Sequence, residues 1–187
     1  MRRTAALVVA VLLLGGCGST EPKSHAATGP HPKLQFRKVA LPRPPGSSVR
    51  SSVPASWAAR FTGFTCPRAQ VSTPDPDEYT LLCDTKGTKY LLEPASLVEA
   101  ARDVTAEVPR GQGTWAVDFR IGGRGRDTFT ALSRELVADG GQLAVALDGR
   151  IIAEAAFSGV ITNGRMQITG GFTEQAARDL ADRLAGR

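Results

Sequence analysis

The chain has 187 residues, 42% of them hydrophobic and 22% charged, with three cysteines and a formal net charge of +5. That length holds one domain of ordinary size plus a tether. The basicity is too mild, and the aromatics too thinly interleaved with basic residues, for a nucleic-acid footprint, so nucleic acid is excluded as a partner.

The N-terminus reads as an export signal. Arg2 and Arg3 precede an unbroken apolar run from Ala5 to Leu14, too short for a bilayer, which takes about 20 residues. Leu14-Gly15-Gly16-Cys17 follows and resembles the lipobox of bacterial lipoproteins. That resemblance implies cleavage after residue 16 and acylation of Cys17 by a diacylglycerol of the palmitate class. Such an anchor holds a chain at the outer face of the cell membrane, each buried methylene adding about 0.8 kcal/mol of affinity. The formal charge of +5 falls to +3 once Arg2 and Arg3 leave. No other segment is apolar enough to span.

Residues 17–56 are rich in Pro, Ser and Gly and lack apolar periodicity. They are expected to form a disordered, semi-extended tether reaching about 30–40 Å, since too little surface can be buried to offset ordering. His25 and His31 both fall in it, so neither is expected to serve as a metal ligand or a catalyst.

Folding is expected over residues 57–187, with its core in 89–187. A short helical or irregular stretch begins at Trp57 and closes at Cys66-Pro67. Cys66 and Cys83 stand seventeen positions apart, and in an exported chain this pair is expected to form a disulfide. A zinc half-site or a redox pair would want a nearby histidine or a C-x-x-C spacing. Tyr79–Cys83 and Lys89–Leu92 read as strands, the second ended by Glu93-Pro94.

From Gly113 the signals sharpen. Trp115, Val117, Phe119 and Ile121 alternate with Ala116, Asp118 and Arg120, the period of a half-buried strand. Gly122–Gly125 breaks it. Asp127 or Thr128 then caps a helix with Phe129, Leu132 and Leu136 on one stripe, stopped by Asp139-Gly140-Gly141. Asp148-Gly149 between apolar runs predicts a tight hairpin. Asn163-Gly164 marks a second turn before a strand over Arg165–Thr169, and Thr173 caps a last helix lined by Ala176, Ala177, Leu180, Ala181 and Leu184. The order strand–helix–strand–strand–strand–helix predicts an α+β fold: an antiparallel sheet of about four strands with two helices on one face, in ferredoxin-like layering.

Three segments carry a more specific likeness. K-Y-L-L-E-P at 89–94, L-A-V-A-L-D-G-R-I-I at 143–152 and I-T-N-G-R-M-Q-I-T-G-G-F-T-E-Q-A-A-R-D-L-A at 161–181 resemble SecD, in the head subdomain of its first extracytoplasmic domain. The cysteine preceding K-Y-L-L resembles actinobacterial members. The chain departs from that family in lacking membrane spans, and in Ala153 and Ala155, where the family places a Ser and a Pro after the D-G turn. The resemblance implies the head-subdomain fold and an extracytoplasmic place beside the protein-export translocon.

The residues point away from catalysis. The folded region contains no histidine, no G-x-S-x-G and no metal-ligand cluster, so neither an enzyme nor a cofactor or metal site is expected. Asp118 and Glu154 read as solvated strand carboxylates. Gly122-Gly123-Arg124-Gly125-Arg126 is a weak anion-binding signal, in which Arg124 and Arg126 are the candidate contacts to a ligand or partner. Gly170-Gly171 reads as a sharp turn from strand into helix. The expected function is a lipid-anchored, non-catalytic module that binds a protein partner, either translocon components or an exported polypeptide. The alternatives are an envelope lipoprotein for a small anionic or cell-wall ligand, and a structural protein that self-associates.

Overall fold

A computed structural model describes residues 33–42, 53–69 and 72–187; the signal segment, Cys17 and both histidines lie outside them. Eleven elements follow in order: β1 Leu34–Leu41, α1 Ala55–Gly63, β2 Thr80–Cys83, β3 Lys89–Val98, β4 Ala101–Glu107, β5 Trp115–Ile121, α2 Gly125–Asp139, β6 Gln142–Leu147, β7 Arg150–Ala156, β8 Arg165–Phe172 and α3 Glu174–Ala185. The fold is α+β with antiparallel strands, as the sequence predicts. The strand count is higher, eight among the described residues and in two sheets: one of five ordered β2-β3-β1-β6-β7 and one of three ordered β4-β5-β8.

The largest departure is β1. Residues 34–41 fall in the stretch expected to be a tether, yet they form the central strand of the five-stranded sheet, paired with β3 on one side and β6 on the other. Among the described residues the fold therefore takes in Leu34–Leu41, ahead of Trp57. Leu34 and Phe36 point into the main core, where the Phe36 ring lies 6.2 Å from that of Phe119. Gln35 and Arg37, on the opposite face, are also fully buried. Both faces are covered, so the amphipathic alternation that flags a half-exposed strand is lost.

The five-stranded sheet curls. Its edge strands β2 and β7 approach each other without pairing. Register shifts interrupt β1 against β3 at three places, and β6 against β7 between Val145 and Ala146. Bulges of this kind bend a strand and increase its twist. The inner face carries a cluster drawn from all five strands: Val39, Leu82, Tyr90, Leu92, Ala144, Ala146 and Ile151. The outer face packs its Leu34, Phe36, Leu143, Val145 and Leu147 against the three-stranded sheet and both long helices. Lys38 ties that face to α2, its Nζ lying 3.1 Å from Glu93 and 2.8 Å from Glu135.

β3 runs on to Val98, through the Glu93-Pro94 expected to end it. Pro94 sits where β1 and β3 slip register between Arg37↔Ala95 and Val39↔Leu92, beyond the last β2 pair at Thr80↔Leu92. A proline at a bulge forfeits no ladder bond. The Asp148-Gly149 hairpin forms as predicted, with φ of 50° and 76° at the two residues. So does the α3 cap, where Thr173 Oγ1 accepts from the Ala176 amide at 3.2 Å. Gly140, at φ 63°, ends α2 in the left-handed conformation.

Two local expectations change. Helix α2 starts at Gly125, with Arg124 at the cap position and no side-chain cap, rather than at Asp127 or Thr128. Gly170-Gly171 lies inside β8. Trp115 pairs with Phe172 and Ala116 with Thr169, so the two glycines bulge out of the ladder, with Gly171 at φ 67°. The pair bends an edge strand, and the helix begins only after Phe172.

Candidate functional site

The loop that follows β5 comes to lie against the β3–β4 corner. The Gly122 amide donates to Ala100 O at 3.2 Å and the Ile121 amide to Gly164 O at 2.8 Å. That corner is pinned in turn to the start of β1. The Glu99 amide donates to Leu34 O and the Leu34 amide to Glu99 Oε1, both at 3.0 Å. Glu99 takes a left-handed φ of 46° to do so.

Between these pieces runs an open groove of about 650 Å³. Pro76, Leu97 and Val98 give it an apolar lining, and Val98 is among the few large hydrophobic side chains left exposed, at 40%. Arg102 and Arg124 bring positive charge, and Asp77 and Glu99 negative charge. Mixed charge over an apolar floor suits a polypeptide segment better than a simple anion. The two candidate arginines are not together. Arg124 lines the groove, whereas Arg126 does not; its Cγ abuts the Gly164 turn and its Nε stands 4.0 Å from Asp127 Oδ1.

A feature that the sequence concealed lies behind the groove. Arg37, on the inner face of the curled sheet, is wholly buried. Its Nε donates to Gln35 Oε1 at 2.8 Å, Nη1 to Glu78 O and Glu93 O at 2.8 Å each, and Nη2 to Asp75 O at 2.5 Å. Gln35 Nε2 donates to Pro74 O at 2.8 Å. The guanidinium thus serves as the internal template for the loop over residues 74–78, which forms the groove's Pro76–Asp77 wall. Burial pushes its pKa down to about 10, against a smaller upward pull from Asp75 and Asp77. The signal was a lone arginine in an apolar octet, L-Q-F-R-K-V-A-L.

Cys66 and Cys83 are joined as expected, with Cα atoms 5.9 Å apart. The bond closes this same loop onto β2. Lys89 secures the near end of α1, its Nζ donating to Phe61 O, Thr62 O and Phe64 O at 2.9–3.1 Å. A cation satisfying the last carbonyls of a helix also complements its dipole. Asp118 and Glu154 are apart from the groove. Asp118 accepts from Gln167 Nε2 on the polar face of the small sheet, and Glu154 lies opposite Ala144 in the curled one. No group of three His, Cys, Asp or Glu side chains among the described residues is placed to hold a metal. No described helix is long and apolar enough to cross a membrane.

Comparison with known proteins follows the same outline. The family model of the SecDF P1 head subdomain matches residues 77–186. The protein translocase subunit SecD of Acetobacter pasteurianus is 37% identical over 76 residues, which is 41% of this chain and 14% of that one. SecD of Streptomyces coelicolor is 27% identical over 119 residues, 59% of this chain and 21% of that one. The chain thus spans about a fifth or less of the length of these relatives. A solved structure of SecDF, a membrane component that enhances protein export, superposes with a TM-score of 0.51 at 21% identity, covering 83% of this chain and 63% of that one. At that identity the likeness concerns the fold. β1, α1 and most of the disulfide loop precede the matched stretch.

Proposed function

The chain belongs to the SecDF P1 head-subdomain family, and from that premise we propose that it is a non-catalytic extracytoplasmic module, held at the outer face of the cell membrane by lipid on Cys17, that binds a protein partner in export. The partner is a translocon component or an exported polypeptide. The observation that carries this reading is the family match over residues 77–186. The groove beside Arg124 supports it, because apolar Leu97 and Val98 flanked by both signs of charge fit an extended peptide segment. Arg124 is the contact of choice, and Arg126 takes no part in the groove.

Photo-cross-linking in living cells tests the partner. A photoreactive residue at Val98 or Arg124 should capture translocon components or exported chains, and one at Gln175 on the outer surface of α3 should not. Equal capture at all three positions, or none of these proteins at any, overturns the reading. The anchor has its own test: Cys17→Ser should move the chain from the membrane to the soluble fraction, and retention in the membrane would refute lipidation at that residue.

A further inference from the structure

The seam where the curled sheet fails to close holds a second cavity, of about 280 Å³. Strand edges β2 and β7 face each other there without pairing, so backbone amides and carbonyls at the seam are left without ladder partners. The cavity is bounded by β2 and the turn after it, by the segment leading from α1 to the disulfide, and by the start of β7. Phe64, Leu81 and Leu82 supply apolar surface, with the Cys66–Cys83 bond in the wall.

Its charge is unbalanced. Arg68 and Arg150 both line it, and neither guanidinium hydrogen-bonds or ion-pairs with another described residue. The one carboxylate among its lining residues, Asp84, has Oδ1 accepting from the Lys86 and Thr88 amides at 2.8 Å each, and its charge against the two arginines leaves the lining one net positive charge. Two uncommitted guanidinium groups beside an apolar floor favour an anion that carries an apolar body. The walls are held in place beforehand, one by the disulfide and another by the Lys89 clamp on α1, and preorganisation of this kind lowers the cost of binding. Pockets for drug-sized ligands run from about 300 to 1,000 Å³, so this smaller one suits a single ring or a short chain.

We propose that this seam is a binding site for a small amphipathic anion, a carboxylate or phosphate monoester on a compact apolar body, gripped by Arg68 and Arg150. It lies apart from the groove at Arg124 and does not depend on the export reading. Calorimetric titration of the full chain, purified in detergent with its disulfide intact, tests it with four probes. Benzoate and phenyl phosphate should bind saturably; benzamide, which lacks the charge, and inorganic phosphate, which lacks the body, should bind at least about tenfold more weakly. The tighter of the first two identifies the headgroup. Arg68→Gln and Arg150→Gln should each weaken the better probe about tenfold, whereas Arg124→Gln should leave it unchanged. Absence of saturation up to about 10 mM, equal binding of benzoate and benzamide, or wild-type binding by the Arg68→Gln/Arg150→Gln double variant would each overturn the proposal. Should that double variant melt early, the four-probe comparison on the wild type decides by itself.

Discussion

Replacing Arg37 by Met removes the internal template and keeps most of the volume. Three main-chain carbonyls, those of Asp75, Glu78 and Glu93, lose their donor, as does Gln35 Oε1. A buried acceptor left unpaired costs about 1–3 kcal/mol, although Gln35 can turn. The opposing term is relief of a desolvated cation. Burial holds the folded-state pKa down at about 10, below the ordinary arginine range, so the folded chain disfavours the charge and the substitution recovers part of the loss. The balance is a net destabilisation of about 2–4 kcal/mol. Because the unfolded chain binds the extra proton only above about pH 10, this contribution should be flat from about pH 5 to 9. Urea unfolding of the full chain reads it directly: with a slope near 2 kcal/mol per molar, the midpoint should fall by about 1–2 M. A shift below about 0.3 M at unchanged slope would mean that the loop swings out and wets its carbonyls freely, and the template role would be wrong.

Phe36→Ala tests β1. A side chain wholly buried against Phe119 should cost about 3–5 kcal/mol, whereas a residue in a tether would cost nothing measurable on the same urea curve. Cys66→Ser/Cys83→Ser should lose about 3 kcal/mol, the chain-entropy value for a separation of 17 residues; a melting temperature insensitive to both the substitution and reductant would refute it. Gly164→Ala places a Cβ 2.7 Å from Ile121 O at φ 66° and should lower stability by about 1–3 kcal/mol. Gly171→Ala meets no atom within 4 Å and should cost only about 1 kcal/mol, from its positive φ alone. Thermal scans that reverse this order would show that the edge bulge, rather than the Asn163 turn, is the tighter constraint.

The parts of the fold legible in the sequence are those whose cause is local. Asp148-Gly149 dictates its own turn, Gly140 its own helix stop, and Thr173 its own cap. The division into two sheets is not local. β5 and β8 lie about fifty residues apart and pair, while β6 and β7 between them join the other sheet. β1 hid for a different reason. Its polar Gln35 and Arg37 are satisfied by carbonyls from residues 74–78 and 93, partners that no pattern within Leu34–Leu41 announces. The flanking prolines, Pro32 and Pro42, made the octet resemble its surroundings. At the groove, Arg124 was visible as part of a glycine-rich loop. Arg102 and Val98 were not, since they reach it only through the β3–β4 corner.

The central place of β1 bears on how the domain carries load. Any pull transmitted from the chain N-terminal to Lys33 enters through the strand bonded on both sides, to β3 and to β6. A force along that strand shears two ladders at once, instead of unzipping an edge pair by pair, and resistance to forced unfolding follows the unfolding rate more than the equilibrium stability. Lys33 stands sixteen positions after Cys17, a separation the chain can stretch to at most about 55 Å. On the proposed lipidation of Cys17 and binding of a polypeptide, a tug on the bound partner would load β1 and its two ladders in shear.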